Sequence, residues 1–167
     1  MLNLSGALVV ALAIFGSSSA DASTWNVFNH AFNGDVVFYF DADTTVKSGD
    51  TITLWTKYVR LRTVEKDGSW ATAQRTVYAC RKRTHQPLSV SIYDKAGTFI
   101  RSFASTEAPT DIPPDSIAEE ILKVACSPNF PRAPERSQYF PVPDNDVFEH
   151  ARAFQAYLEA ATDMAPK

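Results

Sequence analysis

Hydrophobic residues are grouped along the central part of the chain in five stretches typical of β-strands. Residues 35–41 are a continuous apolar and aromatic run, residues 51–62 are a long stretch with β-branched and aromatic residues, and one stretch alternates, with Leu88, Val90 and Ile92 on one face. The five predicted strands cover residues 35–41, 51–62, 73–84, 88–94 and 98–103. Because short turns join them, the simplest topology is an antiparallel meander.

The hydrophobic period becomes helical after residues 113–116. Ser116 and Glu119 fit a capping box, and Ile117, Ile121 and Val124 recur at helical spacing. The pattern predicts a helix that ends near Cys126. This helix would cover the apolar face of the sheet and leave the other face open to solvent.

The carboxy-terminal part of the chain predicts a linker and a second helix. Five prolines between residues 127 and 143 argue against regular structure there. Beyond them, Asp146 and Glu149 form a possible second capping box. One helical face would carry Val147, Ala151, Phe154, Leu158 and Ala161. We expect this terminal helix either to dock or to wait for a partner.

The amino terminus has the layout of a secretory signal peptide. An apolar run over residues 7–15 and small residues over 16–19 precede Ala20-Asp21-Ala22, which predicts cleavage after Ala22. The run is shorter than the ~20 apolar residues that cross a bilayer. The alternative is a buried amino-terminal strand or helix, although the segment lacks an amphipathic period. Since no cysteine lies at the cleavage site, we expect export to the periplasm or cell surface without a lipid anchor.

These patterns predict an α+β protein in three parts: a signal peptide (1–22), a sheet-and-helix domain (23–126) and a Pro-rich segment with a terminal helix (127–167). After cleavage, the chain has 16 basic and 18 acidic residues, and therefore a net charge of −2. This near balance argues against nucleic acid as a partner. No transmembrane segment is expected in the mature chain.

Cys80 and Cys126 are the two cysteines of the chain. An exported protein passes through an oxidising compartment, so a disulfide between them is the natural interpretation. A catalytic thiol or a metal-binding pair is the alternative, but the two residues lie far apart and no CxxC or HxxxH motif accompanies them.

Four short segments carry a resemblance to a known family. They are LWTK (54–57), YDKAG (93–97), PDSIAE (114–119) and KVAC (123–126). Together they resemble the surface-adhesin protein E family of Gram-negative bacteria, over roughly residues 25–126. The resemblance implies a small antiparallel sheet, a helix packed on it and a disulfide joining the two. The family name reflects binding of host extracellular-matrix proteins.

Residues with catalytic potential all have simpler explanations. His30, His85 and His150 lack the spacing of a metal site, and Ser116 lacks the GxSxG motif of a nucleophile. Asp41 and Asp43 would present two carboxylates on one strand face, but they also suit the adjacent turn. We therefore expect no catalytic, cofactor or metal site. The strand aromatics belong to the core or, in part, to a recognition surface.

Charge is uneven along the chain. Between Lys57 and Arg101 there are ten basic residues and three acidic ones, which indicates either a solvated sheet face or a binding surface. If Cys80 faces the covering helix, alternation along its strand turns Arg81 and Arg83 to the open face. In the 51–62 strand, Val59 and Leu61 should face the helix, so Arg60 and Arg62 would also point to the open face. The candidate partner-binding residues are Arg60, Arg62, Arg81, Arg83 and Tyr58.

The leading hypothesis is an exported, non-enzymatic binding module whose basic sheet face captures an acidic protein segment or a sulfated polysaccharide. The main alternative is a periplasmic accessory or envelope-structural protein whose terminal helix docks on a partner. A small hydrolase is a third possibility, without a recognisable site.

Overall fold

The computed structural model describes residues 23–31, 35–131, 140–142 and 146–163, so the predicted signal peptide lies outside the described residues. Two helices are present there, α1 (Ile117–Ala125) and α2 (Val147–Asp163), beside one antiparallel sheet. The strands are β1 (Trp25–Ala31), β2 (Val36–Asp41), β3 (Val46–Ser48), β4 (Thr51–Arg60), β5 (Ala71–Ala79), β6 (Thr84–Tyr93), β7 (Phe99–Ala104), β8 (Thr110–Asp111) and β9 (Phe140–Pro141). The predicted α+β class is confirmed.

The sheet is the predicted meander with additions at its edges. Its order is β7-β6-β5-β4-β2-β1-β9, with β3 beside β4 and β8 beside β6. The sequence patterns missed β1, β3, β8 and β9. Strand β9 forms where the prolines predicted no regular structure. Pro141 lies opposite Asn26 at the outer edge of β1, where a residue without an N–H is tolerated.

Each face of the sheet carries buried side chains, and a different helix packs on each. In β2, Phe38 and Phe40 pack with α1, whereas Val37 and Tyr39 pack with α2. We call these sides the α1 face and the α2 face. The expectation of one open face was wrong, because a continuously apolar strand such as β2 must bury both of its sides.

Helix α1 begins where the capping pattern predicts. The Ser116 hydroxyl accepts a hydrogen bond from the Glu119 amide (3.2 Å), and the Glu119 carboxylate accepts one from the Asp115 amide (2.9 Å). The return bond thus reaches one residue further back than in the usual box. The helix ends at the disulfide between Cys80 and Cys126, whose Cα atoms are 5.7 Å apart, which confirms the predicted bond.

Helix α2 docks on the sheet of its own chain. Its Asp146 cap accepts hydrogen bonds from the amides of Phe148 (3.0 Å) and Glu149 (2.9 Å). The predicted apolar side of the helix joins the α2-face core through Val147, Ala151, Phe154 and Leu158, while the side chain of Ala161 lies outside the described residues. Of the two expectations for this helix, docking is the one observed.

Candidate partner-binding surface

Tyr58 and Arg60 lie together on the α1 face, near the end of β4. Tyr58 packs against Phe38 with ring centres 6.1 Å apart, and Arg60, two residues along the strand, points the same way. The guanidinium carbon of Arg60 is 5.6 Å from the centre of the Tyr58 ring, within the range of cation–π attraction. Tyr58 is therefore the aromatic neighbour of Arg60, and its role in binding stays a prediction.

The same area of the α1 face continues across the sheet to β7. Cross-strand pairing runs from Tyr58 through Thr72 and Ile92 to Arg101, and the adjacent row ends at Val90 and Phe103. Directly paired residues share a face, so these side chains form one surface. We define the open patch as Tyr58, Arg60, Val90, Arg101 and Phe103.

Helix α1 covers the other end of this face, and the β7 end of the open patch is accessible, although Thr72 and Ile92 in its middle are buried. The helix packs against Phe40, Leu54 and Tyr78, close to the disulfide. In the open patch, Phe103 keeps 52% of its surface exposed and the Arg101 side chain keeps 49%. An exposed phenylalanine beside an arginine is an unusual surface, because large aromatic side chains usually lie in the core.

Two carboxylates of the β4–β5 loop form a rim beside the open patch. Glu65 pairs with Arg60, and Asp67 contacts Arg101 at 2.5 Å. Hydrogen bonding from the Arg101 side chain, supported by Ser69, holds the pKa of Asp67 well below its usual range. Both arginines of the patch thus already hold a carboxylate.

The four candidate arginines do not form one patch, which corrects the sequence-based hypothesis. Arg60 and Arg62 lie where β4 ends, whereas Arg81 and Arg83 lie in the turn after β5. The nine residues of β5 separate the two pairs by about 30 Å, at ~3.3 Å per residue. The sequence pattern extended this strand to residue 84, but it ends at Ala79, and Arg83 has a positive φ of 56°.

The direction assigned to Arg60 was also wrong. Val59 and Leu61 belong to the α2-face core, so Arg60 points to the α1 face, the side on which Cys80 packs. In addition, each candidate arginine has a carboxylate partner. The pairs are Arg60–Glu65, Arg62–Asp35, Arg81–Asp50 and Arg83–Glu119.

Lys57 on the α2 face is a feature that the sequence analysis missed. Its ammonium nitrogen lies 4.4 Å from the ring centre of Trp25, 4.7 Å from Phe148 and 5.3 Å from Tyr93. Burial lowers the pKa of Lys57 to about 8, against the smaller opposing effect of Asp146. The sequence could have indicated that Lys57 is buried, because Trp55 and Val59, two residues before and after it, lie on the same side of the predicted strand.

The other polar candidates whose side chains are described make contacts within the fold. His85 stacks on Tyr78 at 6.1 Å, and His150 lies 3.0 Å from the Tyr39 hydroxyl through Nδ1, while the side chain of His30 is not described. Asp41 accepts hydrogen bonds from the Asp43 and Thr44 amides at a turn. No group of three or more His, Cys, Asp or Glu side chains suited to a metal ion occurs in the described part of the chain.

A disulfide joins the sheet to α1, and the sheet carries exposed aromatic and arginine side chains at β7. The chain belongs to the surface-adhesin protein E family, whose model matches residues 25–127. The matched region contains β1 to β8 and α1, and it ends before β9 and α2. Comparison with curated proteins and with solved structures finds no match.

Family membership supports an adhesin-like role for the chain, in a class of binding proteins rather than enzymes and at the cell surface. In the described ranges, neither helix has the length and apolar character needed to cross a membrane. Arg101 and Phe103, which the sequence analysis did not select, stand in the open patch because β7 pairs with β6. The sequence could have indicated that Arg101 and Phe103 share a face, because they lie two residues apart in a predicted strand.

Proposed function

We propose that the chain is exported after cleavage behind Ala22 and acts without catalysis as a binding module in the periplasm or at the cell surface. The open patch binds an acidic segment of an extracellular-matrix protein. The observation that carries this proposal is the exposed Phe103 beside Arg101 on β7, on the same face of the sheet as Tyr58 and Arg60. The aromatic content favours a protein over a sulfated polysaccharide, which needs mainly charge.

Binding would proceed by exchange of carboxylates. Exposed ion pairs contribute only ~0–1 kcal/mol, so Glu65 and Asp67 are readily replaced on Arg60 and Arg101 by carboxylates of a partner. Each arginine can hold a carboxylate through two hydrogen bonds. Phe103 would add an apolar contact that the partner can make and that Glu65 and Asp67 of the β4–β5 loop cannot.

The test compares charge reversal at the two ends of the sheet. The protein should be the secreted form, for which we propose Ser23 as the first residue. Arg60→Glu and Phe103→Ala should each weaken binding to immobilised matrix proteins tenfold or more, whereas Arg81→Glu, an equal charge change at the far end, should not. Binding should also weaken as salt rises above ~0.15 M.

Equal losses in Arg60→Glu and Arg81→Glu would contradict a localised site. Binding to heparin but not to matrix proteins would point instead to a polysaccharide partner. A wild-type protein that binds neither would favour the envelope-structural alternative, in which a partner contacts the outer side of α2. That side carries Tyr157, which is 66% exposed.

A further inference from the structure

Helix α2 places one aromatic ring in a slot on the α2 face. The ring of Phe148 packs on Tyr93 and Trp70, with ring centres 5.6 Å and 6.4 Å apart, and its centre lies 4.7 Å from the ammonium nitrogen of Lys57. A Cβ at Gly97 would lie 3.0 Å from the ring, so a larger residue there would crowd it. We define the aromatic slot as Lys57, Trp70, Tyr93 and Gly97.

Two hydrogen-bond donors in the aromatic slot have no acceptor. Across the described residues, the Lys57 ammonium group makes no hydrogen bond or ion pair, and it lies against the rings of Trp25, Tyr93 and Phe148. The indole N–H of Trp70 is buried and likewise has no partner among those residues. A buried polar group without a hydrogen bond reduces stability, and the phenyl ring that α2 places beside both residues offers no oxygen or nitrogen acceptor. The slot therefore holds α2 by aromatic packing and not by polar contacts.

The aromatic slot and the helix that fills it lie in different parts of the chain. The slot lies within residues 25–127, which match the family model, whereas α2 begins after them. The disulfide joins the end of β5 to α1, so no covalent bond other than the chain itself attaches α2. The α2 face therefore accepts a helix, and that helix can leave without a bond being broken.

We propose that the α2 face is a second binding surface, on which an amphipathic helix of a partner protein replaces α2 and directs a carboxylate at Lys57. A groove that binds a helix recognises apolar side chains at helical spacing, as this face already does with Val147, Ala151 and Phe154. A glutamate in the place of Phe148 reaches about as far from the backbone as the ring does, so its carboxylate would lie beside the ammonium group. The proposal goes beyond the proposed function and is independent of it, because the open patch lies on the other face.

The carboxylate of the partner supplies what α2 lacks. Both helices bury the Lys57 ammonium group, but only the partner's helix compensates its charge, and a paired buried charge costs much less than an unpaired one. Against this gain, α2 has the advantage of belonging to the same chain, which corresponds to an effective concentration of about millimolar. We therefore expect the partner to bind at micromolar concentrations or above.

The experiment titrates labelled peptides with the full mature chain and follows their fluorescence anisotropy. Each peptide has the sequence of residues 146–163. One carries Phe148→Glu, and its matched control carries Phe148→Gln, which has the same shape without the charge. The Phe148→Glu peptide should bind more tightly than the control by about tenfold or more, and Lys57→Met in the chain should make the two equal. Amides of the chain's own α2 should exchange faster in the complex, because the helix is released.

The stability of the chain itself provides a second measurement that needs no peptide. The Phe148→Glu chain should unfold at a higher denaturant concentration than the Phe148→Gln chain, and addition of Lys57→Met to both should remove the difference. No binding of the Phe148→Glu peptide up to about millimolar concentration would overturn the proposal. Equal affinity of the two peptides, unchanged exchange in α2, or equal stability of the two chains would each overturn it as well.

Discussion

The two helices cover opposite faces of one sheet and are held there in different ways. Helix α1 has nine residues and is bonded covalently to the end of β5, whereas α2 has seventeen residues and is held by aromatic packing and hydrogen bonds. A helix of nine residues is too short to be stable by itself. The comparison suggests that the disulfide compensates for the small surface that α1 buries, while α2 buries enough to do without one.

The polar contacts of the two faces differ as well. On the α1 face, the buried Glu119 pairs with the half-exposed Arg83 and Lys123, and hydrogen bonding from the Asp115 amide keeps the pKa of Glu119 low. On the α2 face, the charge of Lys57 lies inside the core, among aromatic rings. The carboxylate of Glu119 is compensated by two cations that remain half exposed, whereas the ammonium of Lys57 lies against aromatic rings, which compensate a buried charge less well.

Removal of the disulfide that attaches α1 should have the largest effect on the stability of the protein. Cys126→Ser should lower the free energy of unfolding by about 4 kcal/mol, the chain-entropy value for a loop of this length. Denaturant melts of the variant and of reduced wild type should agree with each other. If the variant and oxidised wild type unfold at the same midpoint, the bond does not stabilise the α1 face.

Lys57 gives the next effect, and it depends on pH. Burial disfavours the charged form in the folded state, so the penalty is fully present below pH 8 and disappears as pH rises toward the unfolded value near 10.5. Lys57→Met should therefore be more stable than wild type at pH 7, by at most about 3 kcal/mol. This advantage should shrink between pH 8 and 10.5.

Paired melts of the two proteins across that range make the measurement, with a direct titration of Lys57 by NMR. A titration midpoint near 10.5 would show that the rings of Trp25, Tyr93 and Phe148 compensate fully for desolvation.

Phe148 gives the smallest of the three effects and tests how α2 is held. Its ring packs on Tyr93 (5.6 Å) and Trp70 (6.4 Å), and a Cβ at Gly97 would lie 3.0 Å from it. Because the side chain is partly buried, Phe148→Ala should cost about 2 kcal/mol and increase proteolysis near α2. Tyr157→Ala, on the exposed side of the same helix, is the matched control. Similar losses in both variants would mean that the contacts of Phe148 with Tyr93 and Trp70 contribute no more than an exposed aromatic side chain of α2 does.

Local patterns predicted the elements that have strong patterns of their own. The Ser116 cap, the start of α2 at Asp146 and the central strands all follow from residues close together in the chain. Strands β3, β8 and β9 were missed because each has only two or three residues, too few to show a period. They exist because a neighbouring strand offers them hydrogen bonds.

By itself, the sequence determined the meander order, the positions of the two helices and the pair of cysteines that could meet, since these depend on local periodicity and composition. The tertiary structure decided which face each side chain occupies and which charges come together. The end of β5 at Ala79 moved Arg81 and Arg83 into a turn, and the docking of α2 made the face that carries Val59 a buried one. Side-chain direction along a strand depends on where the strand ends, and exposure depends on what packs above it. Both are set by contacts between residues distant in the chain, which local patterns do not encode.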